Sequence, residues 1–270
     1  MERELIVVRG GGDIATGIVQ KFHRAGFRVL VLETERPTAI RRSVALSEAV
    51  YQGSATVEDM TARLVWDGHG MRACFEAAEV PLTIDPTGSW IARLSPACVV
   101  DAILAKRNLG TRPAMAPVVI AVGPGFIAGE SAHAIVETMR GHDLGRLILR
   151  GGALPNTGVP GELGGKSAER VLYAPCDGGV RHVRAIGDIV HAGETMLFVG
   201  ETACAAPFTG LLRGLIAEMP VRRGTKVADV DSRVDVDWQT ISDKARCIGG
   251  GVLEAYLYLR NGGRCDERTV

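Results

Sequence analysis

The chain has 270 residues, 46% of them hydrophobic and 23% charged, and its 31 basic side chains are balanced by 31 acidic ones. A chain of this size buries a real core and is expected to split into two or three units. A formal net charge of zero leaves no global field to draw in nucleic acid or an anionic membrane, so any phosphate binding must be local.

No apolar run approaches the roughly 20 residues of a membrane-spanning helix. The charged opening Met1-Glu2-Arg3-Glu4 does not read as a secretory signal, and a cytoplasmic protein is expected. Six cysteines (Cys74, Cys98, Cys176, Cys204, Cys247, Cys265) are scattered singly, without a CxxC pair. They read as reduced thiols, and the scatter argues against a cysteine zinc site or an iron–sulfur cluster. Many glycines with few aromatics favour α/β or compact β units over a helical bundle.

In chain order, an apolar strand over 5–8 leads into Gly10-Gly11-Gly12. A helix over 14–25 follows, then Gly26 as its stop and a second apolar strand over 28–32. This is a βαβ unit of a parallel sheet covered on both faces. Gly10-Gly11-Gly12-Asp13-Ile14-Ala15 fits the G-x-G-x-x-A form of the dinucleotide fingerprint, with Glu33 about 20 residues on as the ribose acceptor. Glycine lets the backbone approach a phosphate, and the helix start offers free N–H groups. Asp13 also stands where it can cap the helix, which puts a carboxylate where the anion would sit. Arg36, Arg41 and Arg42 follow closely enough to supply cations. A tight ligand-free turn and a solvated arginine face are the alternatives.

Further strands are expected over 62–65, 80–84, 118–122 and 146–149, with a short helix over 57–60 and a longer one over 96–107 capped by Ser95. The 118–122 strand runs into Gly123-Pro124-Gly125-Phe126, and a helix is expected within the stretch from Ala132 to His142. His133 and Glu137 would then lie one turn apart with His142 beyond. A His–Glu surface contact is the expected reading, and no metal site is assigned. Arg140 and His142, flanking Gly141, are the better anion contacts. The loop Asn156-Thr157-Gly158-Val159-Pro160-Gly161 adds neutral hydrogen-bonding groups, with a functional or a structural role left open.

Past residue 168 the texture changes to short strands and turns, with an internal repeat. Ala174-Pro175-Cys176-Asp177-Gly178 recurs as Ala206-Pro207-Phe208-Thr209-Gly210, and Val-x-x-Gly steps follow at Val190 and Val221. A repeat of about 32 residues is too short to bury its own core, so the two copies should pair as one β unit. The order resembles the biotinyl/lipoyl hammerhead, a small barrel whose mid-domain hairpin carries a modified lysine. The hairpin is expected at Ala203 and Cys204, where there is no lysine; Lys166 and Lys226 lie elsewhere. The resemblance implies the barrel without a covalent prosthetic group, and Cys204 reads as structural. A helix over 242–259 is expected to dock back on the first domain, with a frayed polar tail over 261–270.

The expected architecture is therefore α/β. A Rossmann-like parallel-sheet domain (1–170) precedes a hammerhead-like β domain (171–232) and a C-terminal helical segment (233–270).

The strings Val8-Arg9-Gly10-Gly11-Gly12-Asp13, Ala105-Lys106-Arg107-Asn108, Gly123-Pro124-Gly125-Phe126, Glu137-Thr138-x-Arg140-Gly141-His142, Asn156-Thr157-Gly158 and Lys244-Ala245-Arg246-x-Ile248-Gly249-Gly250-Gly251 extend over nearly the whole chain. Together they resemble the accessory proteins of selenium-dependent molybdenum hydroxylase systems, the YqeB type. That resemblance implies maturation of a molybdenum hydroxylase, through its molybdopterin cofactor or the sulfur or selenium added to it. It supplies no catalytic residues.

The residues support three functions. One is an accessory protein that binds a phosphorylated ligand, a nucleotide of NAD(P), ATP or CTP type or molybdopterin, between the glycine loops. Its partner would be the hydroxylase or its cofactor machinery, and a homo-oligomer is open. The second is an NAD(P)-dependent oxidoreductase, against which stands the lack of a Tyr-x-x-x-Lys pair. The third is an interaction module without ligand.

Overall fold

The computed structural model describes residues 3–159, 161–162 and 164–263. Pro160 and the tail from residue 264, including Cys265, lie outside the described residues. The chain divides into two compact units, one of residues 1–37, 45–156 and 241–270, the other of residues 38–44 and 157–240.

The first unit opens with β1 (Leu5–Arg9), α1 (Asp13–Arg24) and β2 (Arg28–Glu33), as the hydrophobic pattern predicts. It continues with α2 (Ala49–Gln52), β3 (Ser54–Val57), β4 (Met60–Leu64), α3 (Gly68–Glu76), β5 (Val80–Ile84), α4 (Ser89–Leu94), β6 (Cys98–Asp101), β7 (Val118–Val122), β8 (Ala134–Val136) and β9 (Leu147–Ile148). These strands form a nine-stranded sheet in the order β3-β4-β5-β2-β1-β6-β7-β8-β9. The run from β4 to β8 is parallel, and antiparallel strands stand at both edges. The chain runs from β1 to β2, out to the edge strand β3 and back inward through β4 to β5, then crosses to the other side of β1 as β6. That reversal is the switch point at which doubly wound sheets open a crevice beyond the carboxyl ends of their strands.

Three expected elements are corrected. Residues 96–107 are not a helix: Cys98-Val99-Val100-Asp101 are wholly buried and paired between β1 and β7, because a β-branched apolar run is worth more as a central strand. The loop that follows has Leu104 and Lys106 in the left-handed region, which a helix excludes, and Ser95 ends α4 rather than starting a helix. The helix expected after the second glycine loop is likewise absent: Ala134–Val136 form β8, paired with β7, so His133 and Glu137 are not one helical turn apart. The short helix over 57–60 is the turn between β3 and β4, with Glu58 at φ 54°.

The last helix, α5 (Asp243–Arg260), is capped by Ser242, whose Oγ accepts from Ala245 N at 3.2 Å. It packs against α1 at a separation only glycine allows. A Cβ on Gly17 would lie 2.5 Å from the Ala245 carbonyl oxygen, and one on Gly249 would lie 2.5 Å from the Gly17 carbonyl oxygen. Three consecutive glycines cost helix propensity, about 1 kcal/mol each relative to alanine. Gly249 serves this approach and Gly251 a second one, against the Gly145 carbonyl, while Gly250 has open space beside it; further along Tyr256 closes an edge-to-face cluster with Phe22 and Phe27.

The second unit contains β10 (Val171–Tyr173), β11 (Gly178–His182), β12 (Ile189–Val190), β13 (Thr195–Val199), β14 (Thr202–Ala205), β15 (Gly210–Leu215), β16 (Pro220–Val221) and β17 (Lys226–Asp231). Two antiparallel sheets result, ordered β10-β17-β15-β12 and β14-β13-β11-β16. Replacing each strand by its repeat equivalent (β10 by β14, β11 by β15, β12 by β16, β13 by β17) turns one order into the other. Each sheet thus takes its two central strands from one repeat and its two edge strands from the other, so neither half buries its core alone. Met196, Leu197, Val199, Leu212, Val227 and Val230 fill that core. The hairpin turns at Gly200 and Glu201, not at Ala203 and Cys204, which lie within β14 with Cys204 buried. Among the described residues no helix is long and apolar enough to cross a membrane.

Candidate anion-binding mouth at the carboxyl ends of the strands

The Gly10–Gly12 turn lies at the carboxyl end of β1, as the fingerprint requires, but most of it is used by the chain itself. A Cβ on Gly10 would meet the Ala102 carbonyl oxygen at 2.9 Å, and one on Gly11 the Ser47 amide nitrogen at 3.0 Å. Ser47 N donates to the Gly11 carbonyl at 2.8 Å, and Leu46 N to Thr16 Oγ1 at 3.0 Å, so the 45–47 segment lies over the turn. Glu33 accepts from Gly11 N at 2.8 Å and from Thr34 N at 2.7 Å. Its carboxyl is therefore spent on the amide that a dinucleotide phosphate would need, and burial pushes its pKa up. Gly12 alone has open space beside it.

Beyond Gly12 two helices start together. Asp13 begins α1 and accepts from Ile14 N at 2.9 Å. Asp243 begins α5, whose first turn meets α1 at Gly17, one turn in from Asp13. Next to Asp243 stands half-buried Lys244. Burial, then the neighbouring Arg140 cation, lower its pKa, while Asp13, Glu137 and Asp243 raise it. Arg140 is clamped by Asp243 through two bonds of 2.8 and 3.1 Å. Gly12, with open space beside it, immediately precedes Asp13, one of the carboxylates in electrostatic reach of Lys244, so the start of α1 and the Lys244 cation at the start of α5 fall in one neighbourhood.

The second glycine loop forms the other wall. Gly123, at φ 78°, packs on Thr138, with 2.9 Å from a Cβ position to Oγ1, and Gly125 packs on the Arg107 backbone. Glu137, fully buried, accepts from Thr138 N (2.6 Å), Met139 N (2.7 Å) and Leu154 N (2.7 Å). It holds the rim in place; it is not the surface partner of His133, whose Nδ1 accepts from Val119 N at 2.9 Å. Among the described residues no group of three or more His, Cys, Asp or Glu side chains could hold a metal ion.

The 102–111 loop completes the rim. Buried Arg9 donates to Thr111 Oγ1 (2.5 Å), which donates in turn to Asp101 Oδ2 (2.5 Å), and Asn108 ties Gly110 and Thr111. This frame holds Leu104 and Lys106 in the left-handed conformation, a strain of order 1–3 kcal/mol each that concentrates at functional loops. It presents the exposed Lys106 and Arg107 beside Gly125.

Of the residues singled out by sequence, Gly12, Asp13, Gly123, Gly125 and Arg140 gather at this mouth. Gly10 and Gly11 support it from beneath. Glu33 is engaged internally, and Arg36, His142, Asn156 and Thr157 are exposed on loops, with Thr157 Oγ1 3.3 Å from both Val159 N and O. Arg41 and Arg42 belong to the second unit. Sequence reasoning assigned no role to Lys244, Lys106 or Arg107. Lys244 had a legible signal, two residues past a serine cap at the start of the last helix.

Fold and mouth together define a class: an α/β protein whose doubly wound sheet is joined in one chain to a β unit of two equivalent halves. No family model matches the sequence. The chain is 48% identical over 262 residues, 96% of its length, to "Uncharacterized protein YqeB" of Escherichia coli (strain K12), and is a homologue of the matched part of that protein. The match covers 48% of that protein, so the chain spans about half the length of the curated relative it matches. Among solved structures it is similar to the product-bound Ectoine utilization protein EutE (DoeB) from Ruegeria pomeroyi, with a TM-score of 0.27, 12% identity and 86% of each chain covered. A TM-score that low carries no argument about fold or function.

Proposed function

We propose that the chain is a non-redox accessory protein that binds a phosphorylated small molecule, of nucleotide or molybdopterin type, at the mouth above Gly12, and that it serves the maturation of a molybdenum hydroxylase. The maturation role rests on the resemblance of its motifs to the YqeB type. The binding role rests on one observation: the start of α5 packs on α1 at Gly17, which brings Lys244 into electrostatic reach of Asp13 and Arg140, and Gly12 next to Asp13 has open space beside it. An anionic group there is met by helix amides and two cations, whereas the carboxylates of Asp13 and Asp243 already accept from Ile14 N and Arg140.

An NAD(P)-dependent oxidoreductase is the poorer reading. Glu33 is engaged by Gly11 and Thr34, and Ser47 stands where the pyrophosphate would approach Gly11. A thermal-shift panel of NAD(P), adenine and cytosine nucleotides and molybdopterin tests the proposal. At a hundred times its dissociation constant a ligand stabilises by about 2.7 kcal/mol. Gly12→Val should fold and lose that shift. If the parent responds to no member of the panel, or Gly12→Val responds equally, the mouth is not the site.

A further inference from the structure

The second unit carries a cluster of charge that the mouth does not use. Asp229 and Asp231 share one face of β17 and are almost fully buried. Arg170 pairs with Asp229. Arg233 takes Asp231 through both oxygens, Nε to Oδ1 at 3.0 Å and Nη2 to Oδ2 at 2.7 Å. That leaves Arg213, whose side chain is only 11% exposed, with one hydrogen bond among the described residues, Nη1 to Asp231 Oδ2 at 3.2 Å. Three guanidiniums share these two carboxylates. Arg41 is buried nearby: Ile40 packs on Gly214, and its carbonyl accepts from Leu215 N at 2.7 Å. Burial, then the Arg41 charge, lower the Arg213 pKa.

The backbone aims Arg213 into this cluster. Register in the β15–β17 pair shifts between Leu212 and Gly214, so Arg213 is the extra residue of a β-bulge. Bulges commonly redirect a side chain next to a functional site. With one hydrogen bond, Arg213 keeps most of its donor fork for an anion, and that planar fork matches the oxygens of a phosphoryl group.

We propose that Arg213, flanked by Arg41 and Arg233, is the anchor of a phosphoryl-binding site in the second unit, separate from the mouth above Gly12. The experiment is thermal melting of the full chain in inorganic phosphate, in acetate and in chloride at one ionic strength, for the parent, Arg213→Gln, Arg213→Lys and Gly12→Val. Phosphate should raise the melting temperature of the parent and of Gly12→Val by about 3 °C at ten times its dissociation constant. Acetate should do less. Arg213→Gln should melt no lower than the parent in chloride and should lose the phosphate increment. Arg213→Lys keeps the charge without the fork and should bind phosphate at least tenfold more weakly, which keeps the test decisive if Arg213→Gln fails to fold. An undiminished increment in the Arg213 variants, no increment in the parent, or acetate matching phosphate would each overturn the proposal. The Gly12→Val arm separates this result from the mouth: loss of the increment there, with Arg213 intact, would assign the phosphate to the mouth instead.

Discussion

The turn at Gly10–Gly12 and the start of α5 stand on two sides of the same mouth, yet they relate to the sequence in opposite ways. The turn carries a recognisable fingerprint, and two of its three glycines are spent on close packing against Ala102 and Ser47. The start of α5 carries no ligand motif, and it supplies Lys244 and a second helix N-terminus. A glycine pattern reports that something approaches the backbone closely. Whether that something is a phosphate or the chain's own carbonyl is decided by what packs there.

The largest effect should come from breaking the approach that brings the two regions together. Gly17→Val places a side chain within 2.5 Å of the Ala245 carbonyl, and overpacking of a helix crossing costs about 3 kcal/mol or more. Loss of soluble folded protein, or a melting temperature lowered by at least several degrees in calorimetry, is expected. Next is Glu137→Gln. Oε1 accepts from Thr138 N and Met139 N and Oε2 from Leu154 N, so a glutamine, with one acceptor oxygen, must leave one of these sides facing an NH2 group; a cost of about 1–3 kcal/mol should appear in urea unfolding, and ligand affinity should fall because the rim loses a tether.

Lys244→Met should leave the fold intact and weaken binding of a phosphorylated ligand by at least about tenfold, as loss of one charge-assisted contact implies. Lys244 binds an anion only while protonated, and its folded-state pKa lies below the ordinary lysine value of 10.5. Affinity should therefore be constant near neutrality and fall as pH rises through that lowered pKa, whereas Lys244→Arg should hold affinity to higher pH. Titration calorimetry across alkaline pH reads this, and a parent profile identical to that of Lys244→Arg would remove Lys244 from the site. The smallest effect sharpens the contrast within the turn. Gly12→Ala meets open space at a negative φ and should cost under about 0.5 kcal/mol, whereas Gly11→Ala, 3.0 Å from Ser47 N, should cost about 1–3 kcal/mol.

Local pattern sufficed wherever one element's periodicity or one turn's chemistry governs the outcome. The β1–α1–β2 unit, the apolar strands β5 and β7, the serine-capped last helix and the pairing of the two β repeats were all legible, because buried parallel strands and short repeats cannot satisfy their apolar faces otherwise. Tertiary structure decided the rest. The segment holding β6 has apolar spacing compatible with a helix and becomes a strand because β1 and β7 offer a buried slot with backbone partners on both sides. Residues 134–136 become β8 for the same reason, which removes the His133–Glu137 pair and turns Glu137 into an acceptor for three amides. Glu33 stands where a ribose acceptor belongs and is instead held by Gly11, while Lys244 and Asp13, more than 200 residues apart in sequence, come within electrostatic reach. Sequence distance carries no information about such meetings. They follow from which surfaces are small enough to touch, here Gly17 against Ala245, and that is settled only when the helices pack.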